Sequence, residues 1–191
     1  MNVFGNFLIK LVSIAALTLI TATPTIAQMA HKHGQGQNGG MQHDEVNMPM
    51  LYGSDTTQLE VDELKALFKN HKEISRSVEL IDGGIKTLTE TDNEELRGFL
   101  VGHAAGMITR VEENRDPGVP IQSPTLAPLF AKGQLINTEI EVTDKGIAII
   151  QTSEDAEVVA ALQKHALEVS DLADRGMVAV HEQMMAQHHG N

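Results

Sequence analysis

Leu67–Leu88, LFKNHKEISRSVELIDGGIKTL, and Leu129–Ile150, LFAKGQLINTEIEVTDKGIAII, read as two versions of one pattern set 62 residues apart. Leu67 and Phe68 fall on Leu129 and Phe130, and Ile74 on Ile136. Glu79, Asp82, Gly84 and Ile85 fall on Glu141, Asp144, Gly146 and Ile147. The same shift carries His103 onto His165, and agreement of this length marks an internal duplication.

Each copy opens with a helical pattern. Thr57 to His71 places Leu59, Leu64, Leu67 and Phe68 at helical spacing, and Ser123-Pro124-Thr125 opens a shorter equivalent. Two strands follow, Ile74–Ile81 and Ile85–Thr91 around Asp82-Gly83-Gly84. Their partners in the second copy are Ile136–Thr143 and Ile147–Thr152 around Asp144-Lys145-Gly146. Glycine-containing turns between β-branched runs predict hairpins. A long helix closes each copy, capped by a Thr91/Glu94 box in the first and by Ser153 or Asp155 in the second.

The expected fold is therefore α+β. It is a duplicated α-β-β-α unit, with a four-stranded antiparallel sheet and helices packed on one face. Repeat one spans 57–114 and repeat two 123–187, inside a domain at 55–190. A pseudo-twofold axis should relate the halves. How the two hairpins join is not set by the pattern.

Both long helices carry an apolar stripe with a histidine in it. Leu96, Phe99, Leu100, His103, Met107 and Val111 form the first; Val158, Ala161, Leu162, His165, Val169 and Leu172 form the second. Two facing neutral imidazoles can hold copper, zinc or haem iron, and His103 with His165 are the axial pair expected if haem b is the cofactor. The plainer reading is two core histidines bonded to backbone carbonyls or strand hydroxyls, copied by the duplication.

Outside the repeats the composition changes. Residues 1–27 hold one Lys10, a short apolar run and small residues at Thr25 and Ala27, the pattern of a secretory leader cleaved after Ala27. The mature protein is then expected in the periplasm or outside the cell, with no membrane span after cleavage. Residues 28–54 are rich in Gly, Gln, Asn, His and Met without a helical or strand period, which predicts a flexible tail. With no cysteine, thiolate metal sites, c-type haem attachment and iron–sulfur clusters are excluded. Acidic residues outnumber basic ones 26 to 14, and aromatics amount to five Phe and one Tyr, so nucleic acid is not an expected partner.

The tail offers His31, His33, Met41, His43, Met48 and Met50. The chain end, GMVAVHEQMMAQHHGN, offers Met177, His181, Met184, Met185, His188 and His189. If the last long helix runs straight on through Gly176, most of this second set falls within an arc of about 100°, away from His165. Thioether and imidazole together suit copper. In composition these two segments resemble the Met/His-rich tails of periplasmic copper-resistance proteins, and that resemblance implies copper as the metal partner.

Sharper motifs fail. His181-Glu182-Gln183-Met184-Met185 begins like a zinc-protease helix, but Met185 stands where the second histidine must be. No nucleophile elbow, phosphate loop or dinucleotide fingerprint occurs. The expectation is a non-enzymatic metal-binding protein that buffers, resists or delivers copper, with no catalytic residues. The alternatives are a haem-b or redox protein, or a small-ligand-binding domain without metal. The sequence names no protein partner.

Overall fold

The computed structural model describes residues 47–189, with side chains as far as Ala186. The expected leader, together with His31, His33, Met41 and His43, lies outside the described residues, as do the side chains of His188 and His189.

Helix α1 spans Gln58–Lys69 and leads into strands β1 (Ile74–Ile81) and β2 (Gly84–Thr91). Helix α2 follows at Glu94–Glu112. After a connecting segment come the short α3 (Ala127–Ala131), then β3 (Asn137–Val142) and β4 (Gly146–Thr152). The chain closes with α4 (Ala156–Arg175) and α5 (Met177–His189). The class is α+β, with a four-stranded antiparallel sheet in the order β1-β2-β4-β3. The hairpins therefore join through their second strands.

Local chemistry explains the boundaries. Thr57 and Glu60 form a reciprocal capping box at α1, satisfying two otherwise orphaned backbone donors. The box expected at Thr91 and Glu94 is replaced by a single cap: Asn93 accepts from the Leu96 N–H, while the Thr91 hydroxyl accepts from the Asn93 N–H. Asp155 caps α4 as expected, accepting from the N–H groups of Glu157 and Val158. Gly83 takes φ 72° in the first hairpin turn, a conformation that glycine adopts without strain.

Alternation sorts the sheet. Ile74, Arg76 and Val78 of β1 share a face with Ile85, Thr87 and Thr89 of β2 and with Ile147, Ile149 and Gln151 of β4. Helix α4 packs across β1 and β2, and α2 packs against β4 and β2, so each long helix covers strands of the other hairpin. The main core joins Ile85, Leu129, Val158, Ala161, Leu162 and Ala166. Val158 and Leu162 are almost wholly removed from water, worth about 1.5–3 kcal/mol each as an upper figure.

One expectation about the chain start needs correction, and the condition set on the chain end is not met. The packed region does not begin at Asp55: Met48 and Leu51 are buried and form a second cluster with Val61. Ordering this short piece is offset by the apolar area it covers, since Leu64, Phe68, Ile121 and Met177 pack around it. Nor does the last long helix run through Gly176. That residue adopts φ 56° and ψ −134°, ending α4, and α5 sets off afresh at Met177. The His71 ring sits against Gly176 so closely that any Cβ there would collide with it.

Among the described residues no helix is long and apolar enough to cross a membrane.

Candidate functional site

Between the sheet and the long helices lies a cavity of about 340 Å³, within the usual range for small-molecule sites. Its walls are mostly aliphatic: Leu100, Met107 and Ile108 from α2, Leu162 and Val169 from α4, Ile85 and Ile149 from the sheet. Into this apolar setting project His103 from α2, His165 and Glu168 from α4, and Arg76 from β1.

Periodicity places them. His103 follows Leu100 by three residues, and His165 follows Leu162 likewise, so each imidazole lies on the buried stripe of its helix. Arg76 occupies the inward phase of β1 between Ile74 and Val78. Glu168 lies one helical turn beyond His165.

Their hydrogen bonding is incomplete. Four buried side-chain nitrogens or oxygens without a partner occur among the described residues: Arg76 Nε, His103 Nδ1, His165 Nδ1 and Glu168 Oε2. All four belong to residues lining this one cavity. Buried polar groups are nearly always paired, and an unpaired one costs about 1–3 kcal/mol, so their collection in a single place demands an explanation.

Electrostatics sets the charge states. Burial pulls the His103 pKa down to about 4; the Glu60 carboxylate opposes this and the nearby His165 reinforces it. His103 is therefore neutral at neutral pH. Burial alone also lowers Arg76, to about 10, which leaves it charged. Its Nη1 donates to the Thr89 hydroxyl at 2.5 Å, a neutral partner. At Glu168 burial works to raise the pKa, but His165, Thr125 and Ser123 outweigh it and hold the carboxyl below its ordinary value. The Thr125 hydroxyl donates to Glu168 Oε1 at 2.8 Å. His165 Nδ1 stands 3.9 Å from Oε2, too far for a direct hydrogen bond.

The sequence singled out His103 and His165, and the fold brings both to this cavity. The expected carbonyl or hydroxyl partner of a plain core histidine is not found for either Nδ1. Arg76 and Glu168 were missed. The signal for Arg76 was available: in ISRSVELI it is the charged residue in the apolar phase of the strand.

Six of the proposed metal ligands have described side chains: Met48, Met50, Met177, His181, Met184 and Met185. Met48 is buried in the cluster with Leu51 and Val61, and Met177 packs against that cluster. Met50 and Met185 are exposed, His181 is exposed, and Met184 is half-buried. No group of three or more histidine or acidic side chains placed to hold a metal ion occurs among the described residues.

No family model, curated protein or solved structure matches the chain.

Proposed function

We propose that this is a non-enzymatic, extracytoplasmic protein that binds a small, largely apolar molecule between its sheet and its long helices. One observation carries the reading: the four unpartnered buried polar atoms all belong to residues that line the same apolar cavity. A pocket with aliphatic walls and a few convergent polar groups is the ordinary form of a ligand site. An occupant that supplies the missing hydrogen bonds removes their desolvation cost and binds more tightly for it. The test is thermal unfolding of the purified protein against a panel of apolar small molecules. A ligand of this cavity raises the midpoint in wild type and much less in His165→Leu. A panel without any shift overturns the reading.

A second reading rests on the paired imidazoles. His103 and His165 line the same cavity, neither Nδ1 is bonded to protein, and the two imidazoles would hold the iron of haem b were it bound. Titration with haemin and a Soret band that disappears in His103→Leu tests it.

The duplication belongs to the same proposal, with helices packed on one face of the sheet. It is supported by element bounds that recur at the 62-residue offset: α2 begins at Glu94 and α4 at Ala156, β2 at Gly84 and β4 at Gly146. The β2–β4 register pairs Thr87 with Ile149, two positions that are themselves 62 apart, where a pseudo-twofold axis would pass. On this reading the histidines are a retained pair. Arg76 and Glu168, whose counterparts are Thr138 and Gly106, make the site one-sided.

Copper binding by the Met/His-rich segments, and export by cleavage after Ala27, are proposals on composition. Uptake of Cu(I) by the colourless protein and amino-terminal sequencing beginning at Gln28 are their respective tests.

A further inference from the structure

Arg76 and Arg110 are both arginines with buried guanidinium nitrogens, and the fold treats them oppositely. Arg110, on α2, donates to the Asp55 carboxylate at 2.8 Å, to both oxygens of Glu60, and to the carbonyls of Asp55 and Arg115. Its charge is matched by two carboxylates. Arg76 has one described bond, to the Thr89 hydroxyl, and its Nε has no partner. It forms no ion pair among the described residues. The carboxylate in the cavity wall, Glu168, accepts from Thr125 on Oε1, has no partner on Oε2, and makes no ion pair with Arg76 among the described residues. A buried guanidinium without a counter-ion is costly, because Coulombic compensation is what makes burial of a charge tolerable.

Resting on the ligand-binding reading above, we propose that the occupant is an apolar acid whose carboxylate pairs with Arg76 while its apolar body lies against the aliphatic walls between α2 and α4. Guanidinium and carboxylate match as planar, two-pronged partners, and Nε is one prong of that fork. Thr89, already bonded to Nη1, fixes the orientation from the strand side. His103 and His165 supply further hydrogen-bonding nitrogens in the same cavity. A neutral alcohol of the same shape would satisfy Nε but leave the charge unmatched. A cationic amphiphile could pair with Glu168 but would leave the Arg76 charge unmatched. The chemistry is shared by a fatty acid and by the propionates of haem, and separate titrations distinguish these sources.

The experiment is calorimetric titration of the full chain with decanoate, with decanol and with haemin at neutral pH, in wild type, Arg76→Gln and Arg76→Lys. The expected result is at least about tenfold tighter binding of decanoate than decanol in wild type. Arg76→Gln should remove that preference while decanol still binds, and Arg76→Lys should retain part of it. Haemin binding with a Soret band, in place of decanoate, would assign the acid to the porphyrin and leave the role of Arg76 intact if Arg76→Gln weakens it. Equal binding of decanoate and decanol by wild type would overturn the anion inference while leaving the cavity as a ligand site. No binding of any of the three would overturn the inference and count against the ligand-binding reading itself. The wild-type comparison stands even if a variant fails to fold.

Discussion

Gly84 of β2 lies so close to Gln151 of β4 that a Cβ on it would stand 2.0 Å from the Gln151 carbonyl oxygen. Gly146 of β4 meets the Thr89 carbonyl at the same distance. These contacts sit at the two ends of the seam that joins the hairpins, where Gly84 pairs with Thr152 and Glu90 with Gly146. The close approach of the two central strands depends on both glycines.

Gly84→Ala and Gly146→Ala should therefore each destabilise the protein by about 1–3 kcal/mol, because backbone, not a yielding side-chain end, must shift. Gly98 provides the contrast. It is exposed on α2 and a Cβ there meets nothing within 4 Å. Gly98→Ala should stabilise by about 0.5–1 kcal/mol through helix propensity. Urea denaturation of the three variants checks both signs together.

Arg110 ties α1 and the segment before it to α2, and its side chain is 2% exposed while that of Glu60 is 20% exposed. Removing the cation in Arg110→Met leaves Glu60 partly buried and unpaired, at about 3–5 kcal/mol. The pH dependence has a definite sign. Hydrogen bonding to Arg110 holds the Glu60 pKa down to about 2, below its ordinary value near 4.5. Its contribution is therefore complete above pH 4.5 and is lost as pH falls toward 2. Glu60→Gln should flatten the stability profile across that window, measured by denaturant midpoints.

The first hairpin was legible because Asp82-Gly83 supplies a turn and ISRSVELI alternates. The order β1-β2-β4-β3 was not, since β2 and β4 are the more buried strands and either could have lain beside several partners. Met48 and Leu51 were assigned to a tail because one 3₁₀ turn has no period to detect. The break at Gly176 left a mark, the glycine itself, but helical patterns tolerate glycine and the periodicity resumes after it. At the site, the histidines stood out through duplication. Glu168 did not, because one acidic residue at the margin of an amphipathic helix is usually solvated.

His103 should report its burial through a different pH window. Its folded pKa is about 4, against 6.5 for an ordinary histidine, because burial disfavours the cation. The unfolded chain thus takes up a proton first as pH falls. Stability from this group is complete above pH 6.5, declines between 6.5 and 4, and is fully lost below 4, for a total of about 3 kcal/mol. His103→Leu should abolish that slope while leaving the lower Glu60 transition in place. A wild-type profile that is flat from pH 6.5 to 4 would contradict the neutral, buried assignment.

The copper proposal makes its sharpest demand at the two chain ends, where packing and ligation now separate. Met185 and His181 are exposed, so replacing both with Leu removes a thioether and an imidazole while keeping a good helix former at each position. Cu(I) affinity should fall at least about tenfold if these donors act on one ion, with the unfolding midpoint nearly unchanged. Met177→Leu is a different matter, because that side chain packs against the cluster of Met48, Leu51 and Val61. It should shift stability by less than about 1.5 kcal/mol as a near volume-conserving exchange. At the other end, deleting residues 28–46 should remove a second, weaker set of copper sites without altering stability. Extending the deletion through Met50 takes away buried Met48 and should destabilise by about 2–5 kcal/mol. Cu(I) competition titrations beside thermal melts of these four variants decide it: unchanged affinity in the His181→Leu/Met185→Leu protein would make the α5 residues surface, and copper would have to be sought elsewhere.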